Sequence, residues 1–285
     1  MSIALDRSQL AFQKTDRALL KLSSGQTTES VHGFRTTTLR LETLLEQLLP
    51  ERDRNQKKLL KMLNRIRRRA GKVRDLDVQL AALRSLKVLQ EPRRKTQIMH
   101  RLIELRTKHE KKLRKLLTKN AIRKLRKRLK RGAKEVRPET SREALTVARA
   151  MLNEVVRPAG PVSEEVLHQY RTVVKRARYA AEFAPKSAEA TQFISQVKRL
   201  QDAVGNWHDW LLLTQAAAKS LGDVNQSSLV AVLHNLTGSK FRYAVAAISA
   251  SPTIQPVVKP VPISTESRKV STKSPTLVER IESAA

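Results

Sequence analysis

The chain has 285 residues, with 57 Lys and Arg against 26 Asp and Glu, a formal net charge of +31. That excess is more than solubility needs and points to a polyanionic partner: nucleic acid, an anionic membrane or polyphosphate. The lack of cysteine excludes disulfides and thiolate metal sites, aromatics at 4% count against recognition of single strands by stacking, and no apolar run approaches the roughly 18 residues of a membrane span.

The N-terminal stretch scatters its charges and has no apolar segment of the secretory kind, so a cytoplasmic protein without membrane attachment is expected. Glycine is scarce and the long segments carry a 3.6-residue period, so the fold class is read as all-α. Residues 4–22 form a first amphipathic helix, closed by Ser23, Ser24 and Gly25. A second runs from about Glu29 to Leu49 and stops at Pro50, with Phe34, Thr38, Leu41, Leu45 and Leu48 as its buried stripe. A third, over 52–70, is expected to break at Gly71, with Asp75 capping a fourth over 75–89.

Residues 92–136 keep their leucines in helical register beside a continuous cationic ridge: Lys112, Lys115, Lys119, Arg123, Arg126, Lys130, Lys134 and then Arg137. Acids that would pair with this ridge are nearly absent, so a polyanion-facing surface stands at least level with a merely solvated one. A helix Arg142–Val156 stands between Pro138 and Pro158, and another spans 163–184. The next, 187–204, is expected to break at Gly205, with Asp209 capping 209–221 and residues 226–249 closing the folded part. The folded region is therefore read as 1–250. Residues 251–285, rich in Pro, Ser and Thr and without periodicity, are read as a disordered tail.

The stretch Leu167–Phe183 has two distinct helical faces. His168, Arg171, Lys175 and Arg178 stack on one side, and Tyr170, Val173, Val174, Ala177 and Ala181 make the other apolar. No carboxylate joins the basic stripe before Glu182. So little compensated, such a stripe repels itself and calls for an anion from outside.

The pattern occurs twice. His32-x-x-Arg35-x4-Arg40 returns as His168-x-x-Arg171-x4-Arg176, and Arg65-x5-Gly71-x3-Asp75 as Arg199-x5-Gly205-x3-Asp209. His100 is matched by His234. Two helical halves, about 1–137 and 138–250, follow from this repeat, each with a four-helix-like set. Packed about a pseudo-two-fold axis, they would bring their His/Arg stripes to a common groove. The first half is weaker: Leu39 and Glu42 stand where the second has Lys175 and Arg178, and Glu42 is expected near Arg35.

At these residues the chain resembles the CHAD family, the conserved-histidine α-helical domains. The family core, H-x-x-R-x-x-x-[KR]-[KR]-x-R, is complete at His168–Arg178 and partial at His32–Glu42, and the second element, G-x-x-x-D, appears as GKVRD at 71–75 and GNWHD at 205–209. The resemblance covers about residues 1–250. It implies two pseudo-symmetric four-helix bundles around a basic central cavity, binding of long-chain inorganic polyphosphate, and association with polyphosphate granules. Many relatives carry a CYTH triphosphate-processing domain. Its E-x-E-x-K signature is absent here, so that activity is not carried over.

On this reading His32, Arg35, His168, Arg171, Lys175 and Arg178 line the site. Arg40, Arg65, Arg69, Arg74, Arg176, Lys198, Arg199, Lys240 and Arg242 extend it. No catalytic residue, metal or cofactor is assigned. The histidines lack the second ligand that metal spacing requires, and there is no P-loop or nucleophile elbow. Two other readings stay open: a helical nucleic-acid-binding protein, and an enzyme that processes polyphosphate.

Overall fold

The computed structural model describes residues 5–49, 51–87, 91–136, 143–154, 162–222 and 224–251. Among these residues there are nine α-helices, one π-helical segment and no strand. The helices are α1 (Leu5–Ser24), α2 (Thr28–Thr43), α3 (Arg54–Ser85), α4 (Pro92–Arg114), α5 (Lys119–Glu135), α6 (Ala144–Asn153), α7 (Glu164–Ala181), α8 (Ala188–Leu221) and α9 (Ser228–Ser249). The π segment, Leu44–Leu48, continues α2 and buries Leu44, Leu45 and Leu48.

Most helix starts are written in the side chains. Thr27, Asp53, Thr118, Ser163, Ser187 and Ser227 each accept a hydrogen bond from the backbone N–H three residues on. Caps of this type are each worth about 1 kcal/mol. Glu143 does the same for α6 through the N–H groups of Leu145 and Thr146.

Three expectations are corrected. The first two concern glycine. α3 runs unbroken for 32 residues and α8 for 34, straight through Gly71 and Gly205. A mid-helix glycine costs only about 1 kcal/mol against alanine, which tertiary packing outweighs. Asp75 and Asp209 therefore sit in mid-helix and cap nothing. The third concerns the cationic ridge, which is not continuous. The N–H groups of Leu116 and Leu117 bond back to the carbonyls of Leu113 and Arg114, and Thr118 starts a new helix. Leu116 and Leu117 turn inward onto the core, and that burial bends the chain. Within the ridge, Arg126 is held by Asp16 at 2.9 Å, and Arg137 lies outside the described residues. So does the expected tail beyond Ser251.

The helices pack in succession, α1 on α2, α2 on α3 and α3 on α4, then α6 on α7, α7 on α8 and α8 on α9. α5 lies against α1 and α3, while α2 meets α7 and α3 meets α8. The hydrophobic cores cut across the two halves instead of following them. The larger core joins α1, α2, α5, α6 and α7 to the first parts of α3 and α8 and to the C-terminal ends of α4 (Leu113) and α9 (Ala244 and Ile248). The smaller joins Leu76, Leu80 and Leu83 of α3, Ile98 and Leu102 of α4, Leu213 and Ala217 of α8, and Leu229, Val230 and Leu233 of α9. The unbroken α3 and α8, like α4 and α9, are long enough to serve both cores. Among the described residues no helix is long and apolar enough to cross a membrane.

Candidate functional site

Where α2 and α7 meet, with α3 and α8 alongside, the structure encloses a cavity of 410 Å³. α2 presents His32, Arg35, Thr36 and Leu39, one turn apart on a single face, and α7 presents Arg171, Lys175 and Tyr179 in the same way. α3 adds Arg74, Asp75 and Val78, and α8 adds Gln201, Asp202, Gly205, Asn206 and Asp209. Five residues picked from the sequence thus converge: His32, Arg35, Arg74, Arg171 and Lys175.

The two glycines find their purpose here. A Cβ on Gly71 would stand 2.5 Å from Arg35 Nη1, so the missing side chain is the slot that receives this guanidinium. A Cβ on Gly205 would meet nothing within 4 Å, because it would project into open space.

The cations press on one another. Burial, then Arg171 and Arg35, bring Lys175 down to about 8, with Arg178 adding to the shift and Asp209 opposing it. Burial also lowers Arg35, and Arg171, Arg67 and Arg74 add to this, while Asp75 offsets part of it from 3.8 Å. Partial burial and then Arg74, Arg35, Lys175 and Arg40 lower His32, so its imidazole is neutral at pH 7 and offers one N–H donor. Arg171 Nε is buried and makes no hydrogen bond.

The cavity is not purely basic. Asp75, Asp202 and Asp209 face Arg35, Arg74, Arg171 and Lys175 within it. Burial raises Asp209, as does Asp75, against the pull of Arg171, Lys175 and Arg74. These two aspartates act as internal counter-ions to the arginines and the lysine.

The remaining predicted residues lie elsewhere. His168 is exposed and does not line the cavity. Its ring sits 5.0 Å from buried Trp207 and 4.9 Å from His208, edge-on to the latter. His208 links it to the cavity cations: burial, Arg171, His168 and Lys175 together push it to about 3, so it stays neutral. Arg178 and Arg40 share one carboxylate, Glu182, at 3.3 Å and 2.5 Å, and both guanidinium groups lie over Tyr179. Glu182 therefore neutralises the Arg178 end of the sequence stripe. Glu42 is not the partner of Arg35, since it pairs with Arg67 at 3.0 Å. Arg176 and Arg199 are exposed outside the cavity, and Lys198 holds Asp202 at 2.7 Å. Lys240 and Arg242 lie on α9, and Arg65 and Arg69 are exposed on a different face of α3.

Sequence reasoning missed Asp75, Asp202, Asp209, Gln201, Asn206, Tyr179 and His208. A signal was present in the repeated G-x-x-x-D, which marks a helix face and not a helix boundary. At the register that pairs Gly71 with Gly205, Arg74 corresponds to His208. Among the described residues no group of three or more His, Asp or Glu side chains is placed to hold a metal ion.

The family model of the CHAD domain matches residues 4–218. Among solved structures, the fold is similar to the crystal structure of the CHAD domain from the plant Ricinus communis, at 17% sequence identity and a TM-score of 0.59, with 88% of this chain and 89% of that chain covered. No curated protein sequence matches the chain.

Proposed function

The chain belongs to the CHAD domain family, and from that premise we propose that it binds long-chain inorganic polyphosphate in the cavity between α2, α3, α7 and α8. The observation that carries this reading is the convergence of Arg35, Arg74, Arg171 and Lys175 from three helices on one cavity. Polyphosphate carries about one negative charge per phosphate and neither base nor sugar. A receptor for it needs forked donors and point charges, which Arg and Lys supply. His32, Asn206, Gln201 and Thr36 add further hydrogen-bonding groups along the same wall. Stacking residues are unnecessary, in keeping with the few aromatics.

Asp75 and Asp209 have a part in this reading. They hold the cations in place while the cavity is free, and the phosphates take over that role on binding. A chain longer than the cavity extends out of it and tethers the protein to polyphosphate-rich granules. The role is binding without turnover.

The test is a titration with polyphosphate at two salt concentrations. The Arg35→Ala/Arg171→Ala/Lys175→Ala variant is expected to bind at least 100-fold more weakly while its far-UV circular dichroism stays unchanged. Unchanged affinity would remove the cavity from consideration. Displacement of polyphosphate by duplex RNA at a lower phosphate concentration than the reverse would favour the nucleic-acid reading. Phosphate release from polyphosphate with Mg²⁺ would favour an enzyme.

A further inference from the structure

From Arg54 to Arg74, α3 contains no acidic residue. Arg65, Arg69 and Lys72 are exposed at steps of four and three, on one side of the helix. The neighbouring α4 shows the same spacing at Lys108 and Lys112, continued by Lys115 just past its last residue, all three exposed. The two helices pack side by side, and His109 lies between the two rows. Its charged neighbours are Lys72, Lys112, Arg69 and Lys108, and its Nδ1 is buried without a partner. The six cations make no ion pair among the described residues. Nearby acids are taken up elsewhere: Glu110 holds Arg106 at 2.6 Å and Arg114 at 2.9 Å, and Asp77 holds Arg106 at 2.7 Å. Glu104, one turn before Lys108, marks the end of the strip.

The strip is separate from the cavity. On α3, Arg74, Asp75 and Val78 face the cavity, while Arg65, Arg69 and Lys72 lie about a third of a turn around the helix. α4 contributes nothing to the cavity lining.

We propose that the outer faces of α3 and α4 form a second polyphosphate-binding strip, so that one molecule holds two polyphosphate segments and cross-links long chains. The inference rests on the polyphosphate reading above. Lysine-rich and without phenyl, indole or amide groups, the strip suits a bare string of phosphates, its charges repeating at about the 5.4 Å helical pitch. A chain already held in the cavity presents its further phosphates to the strip at high effective concentration, which favours polyphosphate over duplex nucleic acid as the occupant.

The experiment compares the wild type with the Arg69→Gln/Lys72→Gln/Lys108→Gln/Lys112→Gln variant and with an Arg171→Gln/Lys175→Gln cavity variant. Binding of short-chain polyphosphate and light scattering with long-chain polyphosphate are both measured. The strip variant is expected to bind short chains as the wild type does, which also shows that it is folded. It should lose most of the long-chain scattering, and the log–log salt slope for long chains should fall by about 3, as expected for four lost charges. The cavity variant should lose short-chain binding and keep weak, salt-sensitive long-chain binding. Wild-type scattering from the strip variant overturns the strip. So does a variant that loses duplex DNA binding but still cross-links polyphosphate. If the wild type binds polyphosphate of neither length, the function proposed above fails, and the strip fails with it.

Discussion

At Lys175 three guanidinium groups, those of Arg171, Arg35 and Arg178, oppose the charged ammonium, and Asp209 alone among its close charged neighbours supports it. An ordinary lysine titrates at 10.5, and here the value is about 8. Between those two values the folded protein binds fewer protons than the unfolded chain, so this group adds stability as pH climbs through the window. A bound polyanion acts in the other sense. It favours the ammonium and raises its pKa, so binding takes up a proton above pH 8. Polyphosphate affinity should therefore be flat in this group's contribution below about pH 7 and fall as pH rises through about 8, by up to tenfold per unit. Lys175→Arg, which stays charged, should flatten that limb. Titration calorimetry in two buffers of different ionisation enthalpy reads the proton uptake directly, and an equal pH slope in wild type and variant would count against the assignment. The same residues show how far a sequence reaches at this scale. His32, Arg35, Arg171 and Lys175 were legible because one-turn spacing places side chains on one face. The fate of Arg40 was not, because Glu182, the i+4 neighbour of Arg178, reaches it from a helix distant in the chain.

At the scale of the element, the proline stop was easier to read than the caps. Pro50 is a local stop signal, whereas Thr27, Asp53, Ser187 and Ser227, which the structure uses as caps, were not singled out, and the caps read at Asp75 and Asp209 lie in mid-helix. Gly71 and Gly205 mislead because glycine is a helix breaker by propensity alone. Their reason is tertiary: one clears a guanidinium and the other borders the cavity. The same blind spot hid Asp75 and Asp209, since an aspartate after a glycine reads as a cap until the helix is known to be continuous. This difference is measurable. In an unbroken α8, Gly205→Ala removes a flexible residue without a clash and should stabilise by about 1 kcal/mol. At a true break with positive φ it would destabilise instead. Gly71→Ala gains the same propensity but drives Arg35 out of its slot. It should keep the melting temperature and weaken polyphosphate binding. Thermal melts and titrations of the two variants separate these outcomes.

Across the whole molecule the charge of +31 is unevenly spent. Asp16, Glu42, Asp77, Glu110 and Glu182 are each held by arginine in pairs that join helices or adjacent turns. What remains is an excess of cations on the cavity wall and on the outer faces of α3, α4 and α5. The all-α class was legible from periodicity, but the division of the cores was not, because it depends on which helices run long enough to enter both. The unpaired excess has a consequence for stability. Like charges packed on a compact surface repel, and unfolding relieves that repulsion. Added salt screens it, over a Debye length of about 10 Å at 0.1 M. The free protein should therefore melt at a higher temperature as NaCl rises. A bound polyanion supplies the same relief locally and adds its binding energy, so long-chain polyphosphate should raise the melting temperature most at low salt. The two curves should converge as salt increases, since screening stabilises the free protein while it weakens the complex. Differential scanning fluorimetry across a NaCl series, with and without polyphosphate, measures both. A melting temperature of the free protein that falls with salt would mean that pairs such as Arg40–Glu182 outweigh the repulsion, and the uncompensated surface would then not govern the protein's stability.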